Sequence, residues 1–186
     1  MRYGKKIFFI IVFILLLVIS LGFLYLKSTA PDYNGLLVSP SVNKKISIER
    51  NRLGVPKIEA ENLKDLFFAI GFVHAQDRLF QMDLARRLAD GRLSEIFGKI
   101  AFESDKMHKE LLIEESMEKS YKYVVESPEI YSLLKSYCDG VNFFIKRGRL
   151  PIEFKLLKYK PERYCVKSQV KYLEISRNIS IYQAAE

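Results

Sequence analysis

Tryptophan is absent from this 186-residue chain, and cysteine and histidine occur only twice each. Cys138 and Cys165 stand far apart with no CxxC spacing, and His74 and His108 are the only imidazoles. That donor set argues against a structural zinc site, whose ligands come as close Cys and His pairs. Two cysteines allow at most one disulfide, which would require export to an oxidising compartment. Cys138 lies beside an apolar helix face, where a plain buried thiol is the expected state. The first 30 residues contain no acid, which leaves their basic residues unopposed.

What those first residues do contain is an apolar run. Ile7 to Leu26 is interrupted only by Ser20, Gly22 and Tyr25, and at about 1.5 Å per residue a helix of this length crosses a hydrocarbon core of roughly 30 Å. Arg2, Lys5 and Lys6 precede it, so the amino terminus belongs in the cytoplasm and the body outside. Ser28, Thr29 and Ala30 offer small residues for a signal peptidase, but the apolar core exceeds the roughly 7 to 15 residues of a signal peptide. Residues 1–27 are therefore expected to be a membrane anchor, with a cleaved signal segment and secretion as the alternative.

The formal charge is +8. Arg2, Lys5, Lys6 and Lys27 supply half of it, and the remaining 26 basic and 22 acidic side chains nearly balance. Through residues 102–125 Lys and Glu are interspersed as on a solvated helix. Nucleic-acid binding would need basic residues gathered on one face with stacking aromatics, so no nucleic-acid partner is expected, and a lipid-surface binder is disfavoured on the same ground.

Residues 28–44 are rich in turn formers and read as a tether. Residues 45–186 form the body. Lys45 to Glu49 alternates as a strand, Asn51 to Gly54 turns the chain, and Val55 to Glu59 returns as a second strand, with Pro56 confined to an edge or to the first positions. Asn62 is placed to cap a long helix ending near Asp90 and Gly91, and a shorter turn ends at Gly98. A charged amphipathic segment covers 104–124. Ser127 and Pro128 then open a helix whose stripe is Ile130, Leu133, Leu134, Tyr137, Val141 and Phe144, up to Gly148. A last helical segment starts near Ser168 and carries no stop signal before Glu186.

Within the long helix, Leu66, Ile70, Val73, Asp77, Phe80, Leu84 and Leu88 recur at helical spacing. Asp77 interrupts this stripe, and a carboxylate removed from water needs ionic and hydrogen-bonding partners. Arg78, Arg86, Arg87 or Arg92, or an arginine of a neighbouring helix, should fold toward it. His74 and Asp77 read as structural rather than catalytic, and Glu153 as an ordinary exposed acid.

The run GFVHAQDRLFQMDLARRLADGRLSEIFG at 71–98 resembles, nearly residue for residue, the amino-terminal signature of the penicillin amidase family, GYVHAQDRLFQMDLxRRxAxGRLAEIxG. IERNRLGVPKIEAENLKDLFFAIG at 48–71 is similar to the pattern before it, with Asn51 for Asp and Lys57 for His. LPIEFKLLKYKPERY at 150–164 resembles LPxEFxxLGYxPExW, with Tyr164 for Trp. The resemblance implies an α+β Ntn hydrolase, with helices around a sandwich of two sheets contributed largely by a second chain. This stretch would be mostly α-helical with one amino-terminal strand pair, leaving a large apolar face for that partner.

It also implies hydrolysis of linear amides by a precursor that cuts itself and exposes a Ser at the start of the second chain. No Gly-Ser or Gly-Cys processing site occurs here, so the chain is expected to be the leading, first-chain part of such an acylase. The family's interchain calcium would take one oxygen from Glu186, and Ser176, Ile179 and Ser180 would lie near the acyl pocket. The alternative is a noncatalytic, membrane-tethered helical relic or partner-binding module.

Overall fold

A computed structural model describes residues 2–111 and 113–171. Ser176, Ile179, Ser180 and Glu186 lie outside the described residues. The elements are α1 (Arg2–Thr29), β1 (Ile46–Arg50), β2 (Pro56–Ala60), α2 (Leu63–Ala89), α3 (Ser94–Phe97), a 3-10 turn (Gly98–Ala101), α4 (Phe102–Glu110), α5 (Ile113–Glu126), α6 (Pro128–Lys146) and α7 (Ile152–Leu156). Residues 166–171 are also helical. The chain is thus mostly α-helical with one antiparallel strand pair, as its local signals require.

Helix α1 is the one helix among the described residues long and apolar enough to cross a membrane; an 18-residue window within Lys5–Thr29 has mean hydropathy 3.3. The hairpin β1–β2 pairs Ile46 with Ala60 and Arg50 with Pro56. Pro56 therefore occupies the first position of its strand, where a missing N–H costs least. Asn51 closes the turn, accepting from the amides of Leu53 and Val55 at 2.9 and 3.0 Å. Lys57 pairs with the exposed Glu59.

The core forms where α2 crosses α6. Gly71 and Gly140 mark the crossing: a Cβ on Gly71 would stand 2.1 Å from the carbonyl oxygen of Tyr137, and one on Gly140 would stand 2.0 Å from that of Phe68. Each helix lays its backbone on the other's glycine, an approach that only a residue without a side chain allows. Around this contact Phe72, Val73, Leu79, Tyr137, Val141 and Phe144 are buried together, and Phe154 and Tyr164 close one end. At this crossing α2 and α6 cover each other, whereas Leu133 and Leu134 of the predicted α6 stripe are half-buried and Ile130 is exposed. Leu36, Val38, Leu53 and Ile100 remain strongly exposed.

The buried stripe of α2 also differs from the expected one. Phe68, Phe72, Ala75, Leu79 and Met82 face inward, on the opposite side of the helix from most of the predicted stripe. Leu66, Ile70, Phe80, Leu84 and Leu88 are only half-buried, and Val73 alone of that set is fully enclosed. Both sides of α2 are apolar, so periodicity supports two answers, and the glycine crossing selects one. Arg78, with φ −143° and ψ 24°, kinks the helix, yet the three-and-four spacing of buried residues continues through it.

The segment expected to be a tether is held against the body. Asp65, fully buried at the start of α2, accepts the amides of Asn43 and Lys44 at 3.0 and 2.9 Å. Asn62 caps α2 by accepting from the Asp65 amide at 2.9 Å. Upstream, the Asp32 carbonyl accepts from Gln76 at 2.9 Å.

Candidate functional site: the arginine network at the end of α2

The second half of the signature, DLARRLADGRLSEIFG, builds a single charged network. Asp83 lies one turn before Arg86 and Arg87, and its carboxylate, 0 % exposed, accepts from Arg86 at 2.7 Å and from Arg87 at 3.0 Å. The arginines reach beyond it: Arg86 lies 3.0 Å from Glu162, and Arg87 lies 2.5 Å from Glu95. Arg92 chelates Glu95 and also donates to Glu162 at 2.9 Å. Asp90 pairs with Lys171 at 2.6 Å. A buried carboxylate is tolerable because both its oxygens are paired, and the guanidinium forks fix the geometry.

Electrostatics follow from this pairing. Hydrogen bonds from Arg92 hold Glu95 and Glu162 below the usual carboxylate range. Burial, with the Asp83 charge adding to it, raises the Tyr159 phenol. The Arg86 and Arg87 guanidiniums lie over the rings of Tyr164 and Tyr159 at 5.1 and 5.0 Å, which desolvates one face of each cation favourably.

The network holds the 159–171 segment in place. Asn142, on α6, clamps Tyr164 by accepting its amide and donating to its carbonyl, both at 2.8 Å. Asp105, on α4, takes the amides of Leu93 and Ser94 at 2.8 and 2.7 Å and so caps α3. Burial raises the Asp105 carboxyl, but the Ser94 and Leu93 bonds outweigh it and the net shift is downward. Asp105 sits in the segment expected to be solvated; a buried acid within a run of exposed charges has no local sequence signal.

Asp77 is not the buried acid. It is a surface residue, its side chain 27 % exposed, and its partner is Arg50 on β1, at 2.9 and 3.0 Å. Arg50 also donates to Gln76 and to the Gly54 carbonyl, both at 2.9 Å. The expected ion pair of Asp77 with Arg78, Arg86 and Arg87 is thus replaced by two separate sites: Arg78 is exposed at the kink, while Arg86 and Arg87 serve Asp83. The sequence does carry a signal for Asp83, since D-x-x-R-R places both arginines on the same helix face as the acid.

His74 meets the Tyr137 hydroxyl at 3.1 Å, and partial burial lowers its pKa, a structural arrangement that ties α2 to α6. Cys138 is buried and its thiol is pushed up to about 12, chiefly by burial; Cys165 is exposed, and both are free. Among the described residues no group of three or more His, Cys, Asp or Glu could hold a metal ion. A groove of about 890 Å³ runs between the 32–45 segment and the helices, with Phe68, Phe72 and Phe143 on its floor.

A profile of the family described as penicillin amidase matches residues 45–178. The chain belongs to the penicillin amidase family. Penicillin acylase 2 proenzyme of Pseudomonas sp. (strain SE83) is 38% identical over 138 residues, covering 74% of this chain and 18% of that protein. Acyl-homoserine lactone acylase QuiP of Pseudomonas aeruginosa is 37% identical over 134 residues, covering 71% and 16%. The solved thermostable penicillin G acylase from Alcaligenes faecalis superposes with a TM-score of 0.61 at 25% identity, covering 69% of each chain. This family member thus spans less than a fifth of the curated relatives it matches. In it, the signature residues with the strongest pairing, Asp83, Arg86 and Arg87, hold the architecture together.

Proposed function

We propose that this chain is the leading part of an acylase that hydrolyses linear amides to a carboxylic acid and an amine, and that its described residues supply the platform, not the nucleophile. The observation that carries this reading is the closed Asp83–Arg86–Arg87–Glu95–Glu162 network, in which the signature run at 71–98 supplies every member but Glu162, and the 150–164 motif supplies that one. Asp90 and Lys171 extend it to the helical residues 166–171. Ser176, Ile179 and Ser180, proposed for the acyl pocket, follow in sequence.

Under this reading a Ser at the amino terminus of a second chain attacks the amide carbonyl, with its own free amine as base and amide donors stabilising the oxyanion. The second chain comes from the same precursor or from a split gene. Glu186 would give one oxygen to a calcium ion; since calcium takes about six to eight, the second chain would complete the set. The body would work outside the cytoplasm on the α1 anchor.

The test is co-expression with a family second chain and assay against phenylacetyl and fatty-acyl anilides. The complex is expected to release the aniline, to lose thermal stability on chelation of calcium, and the chain alone to show no turnover. Turnover by the purified chain alone would overturn the division of labour. A second reading, a noncatalytic membrane-tethered module, draws on the self-covered α2–α6 core; a stable complex without turnover would favour it.

A further inference from the structure

Residues 147–160, RGRLPIEFKLLKYK, carry five basic side chains and a single acid, Glu153. They fold as the loop after α6, the short helix α7 and the turn beyond it. Arg147, Arg149, Lys155, Lys158 and Lys160 are all exposed. Between them Leu156 is 67% exposed and Leu157 38%. Phe154 of the same segment is buried in the core, while the two adjacent leucines are held into solvent among these cations and form an amphipathic corner.

The backbone there is held in an uncommon conformation. Tyr159 donates its amide to the Phe154 carbonyl at 3.1 Å and Lys158 donates to Lys155 at 3.3 Å, and the Phe154 and Tyr159 rings pack with centroids 5.0 Å apart. This is a Schellman ending of α7, whose left-handed position favours glycine. Lys158 occupies it, with φ 56°, as the one non-glycine residue of positive φ among the described residues. A cation is thus kept at the tip of the corner against backbone preference.

Chain connectivity decides what faces this corner. The apolar helix ends at Thr29, and Asp32 is held by Gln76 and lies 3.4 Å from Arg149. Three residues reach at most about 11 Å. The Lys155 ammonium stands 5.5 Å from the ring of Tyr25, near the outer end of the anchor. Arg149 and Lys155 thus stand beside the outer end of α1.

We propose that the 147–160 corner docks on the membrane that holds α1, with Leu156 and Leu157 entering the headgroup layer and the surrounding cations meeting anionic phospholipid headgroups. Apolar insertion combined with basic attraction is the usual chemistry of interfacial attachment. The corner would fix how the body stands on its anchor, which a single helix followed by a short linker does not. This rests on the anchor reading of α1.

The absence of tryptophan allows a direct test. Full-length Leu156→Trp and, separately, Phe13→Trp in the anchor are reconstituted into vesicles of phosphatidylcholine and phosphatidylglycerol with brominated acyl chains. Emission from the indole introduced at position 156 should shift to the blue and be quenched by bromine. The quenching should weaken in phosphatidylcholine alone, in high salt, and when Lys155, Lys158 and Lys160 are changed to Gln. Quenching at position 13 without quenching at position 156 would overturn the docking while leaving the anchor intact. Quenching at neither would overturn both. A blue shift at position 156 without bromine quenching would mean that protein, not lipid, covers the corner, and would also overturn it.

Discussion

Changing Asp83 to Ala removes the centre of the charged network and tests which acid the fold depends on. The carboxylate is 0 % exposed, and it faces two guanidiniums whose side chains are 6 % and 7 % exposed. Removing a single partner from a buried ion pair costs about 3 to 5 kcal/mol, because the remaining charge is left desolvated. Here Arg86 keeps Glu162 and Arg87 keeps Glu95, both roughly half-exposed. That residual pairing places the cost near the lower end, about 3 kcal/mol. In a domain of this size the melting temperature should fall by roughly 10 °C. Asp77→Ala is the matched control. Its pair with Arg50 is partly solvated, so about 1 kcal/mol or less is expected. Thermal unfolding of the full chain in detergent, followed by circular dichroism, reads both variants. A loss for Asp77→Ala equal to or greater than that for Asp83→Ala would refute the assignment of the buried site.

Gly140→Ala should destabilise the chain by about 3 kcal/mol or more, because its Cβ meets backbone rather than a movable side chain; the same unfolding assay checks it, and near-native stability would disprove the glycine crossing. Lys158→Gly should stabilise by roughly 0.5 to 1 kcal/mol, the left-handed strain relieved less the entropy that glycine adds to the unfolded chain, seen as a higher melting temperature. Glu95 and Glu162 have folded pKa values depressed by Arg92, so their contribution is complete above the ordinary Glu value of about 4.3 and is lost as pH falls through the folded values. The melting temperature should therefore drop on acidification below about pH 4, and Glu162→Gln should flatten that drop.

Local chemistry settled most element boundaries. Asn62 caps α2 and Asp90 ends it, Ser127 and Pro128 open α6, and Pro56 starts β2, because caps and proline geometry depend on neighbours within a turn. The helical content, the single hairpin and the family signature were legible for the same reason. The charged 104–124 segment reads as one amphipathic stretch, yet α4 ends at Glu110 and α5 begins at Ile113; neither glycine nor proline marks that break.

Tertiary structure decided what the helices do with their faces. Both sides of α2 are apolar, and only its contact with α6 through Gly71 and Gly140 selects the side bearing Phe72 and Leu79. That choice carries Asp83 inward and leaves Asp77 to a partner 27 residues upstream, Arg50. Asp105 caps α3, and Asp65 holds Asn43 and Lys44, across separations of 12 and 22 residues. Periodicity reports the composition of a face, whereas burial depends on which backbone can approach it, a property of two segments brought together and of neither alone.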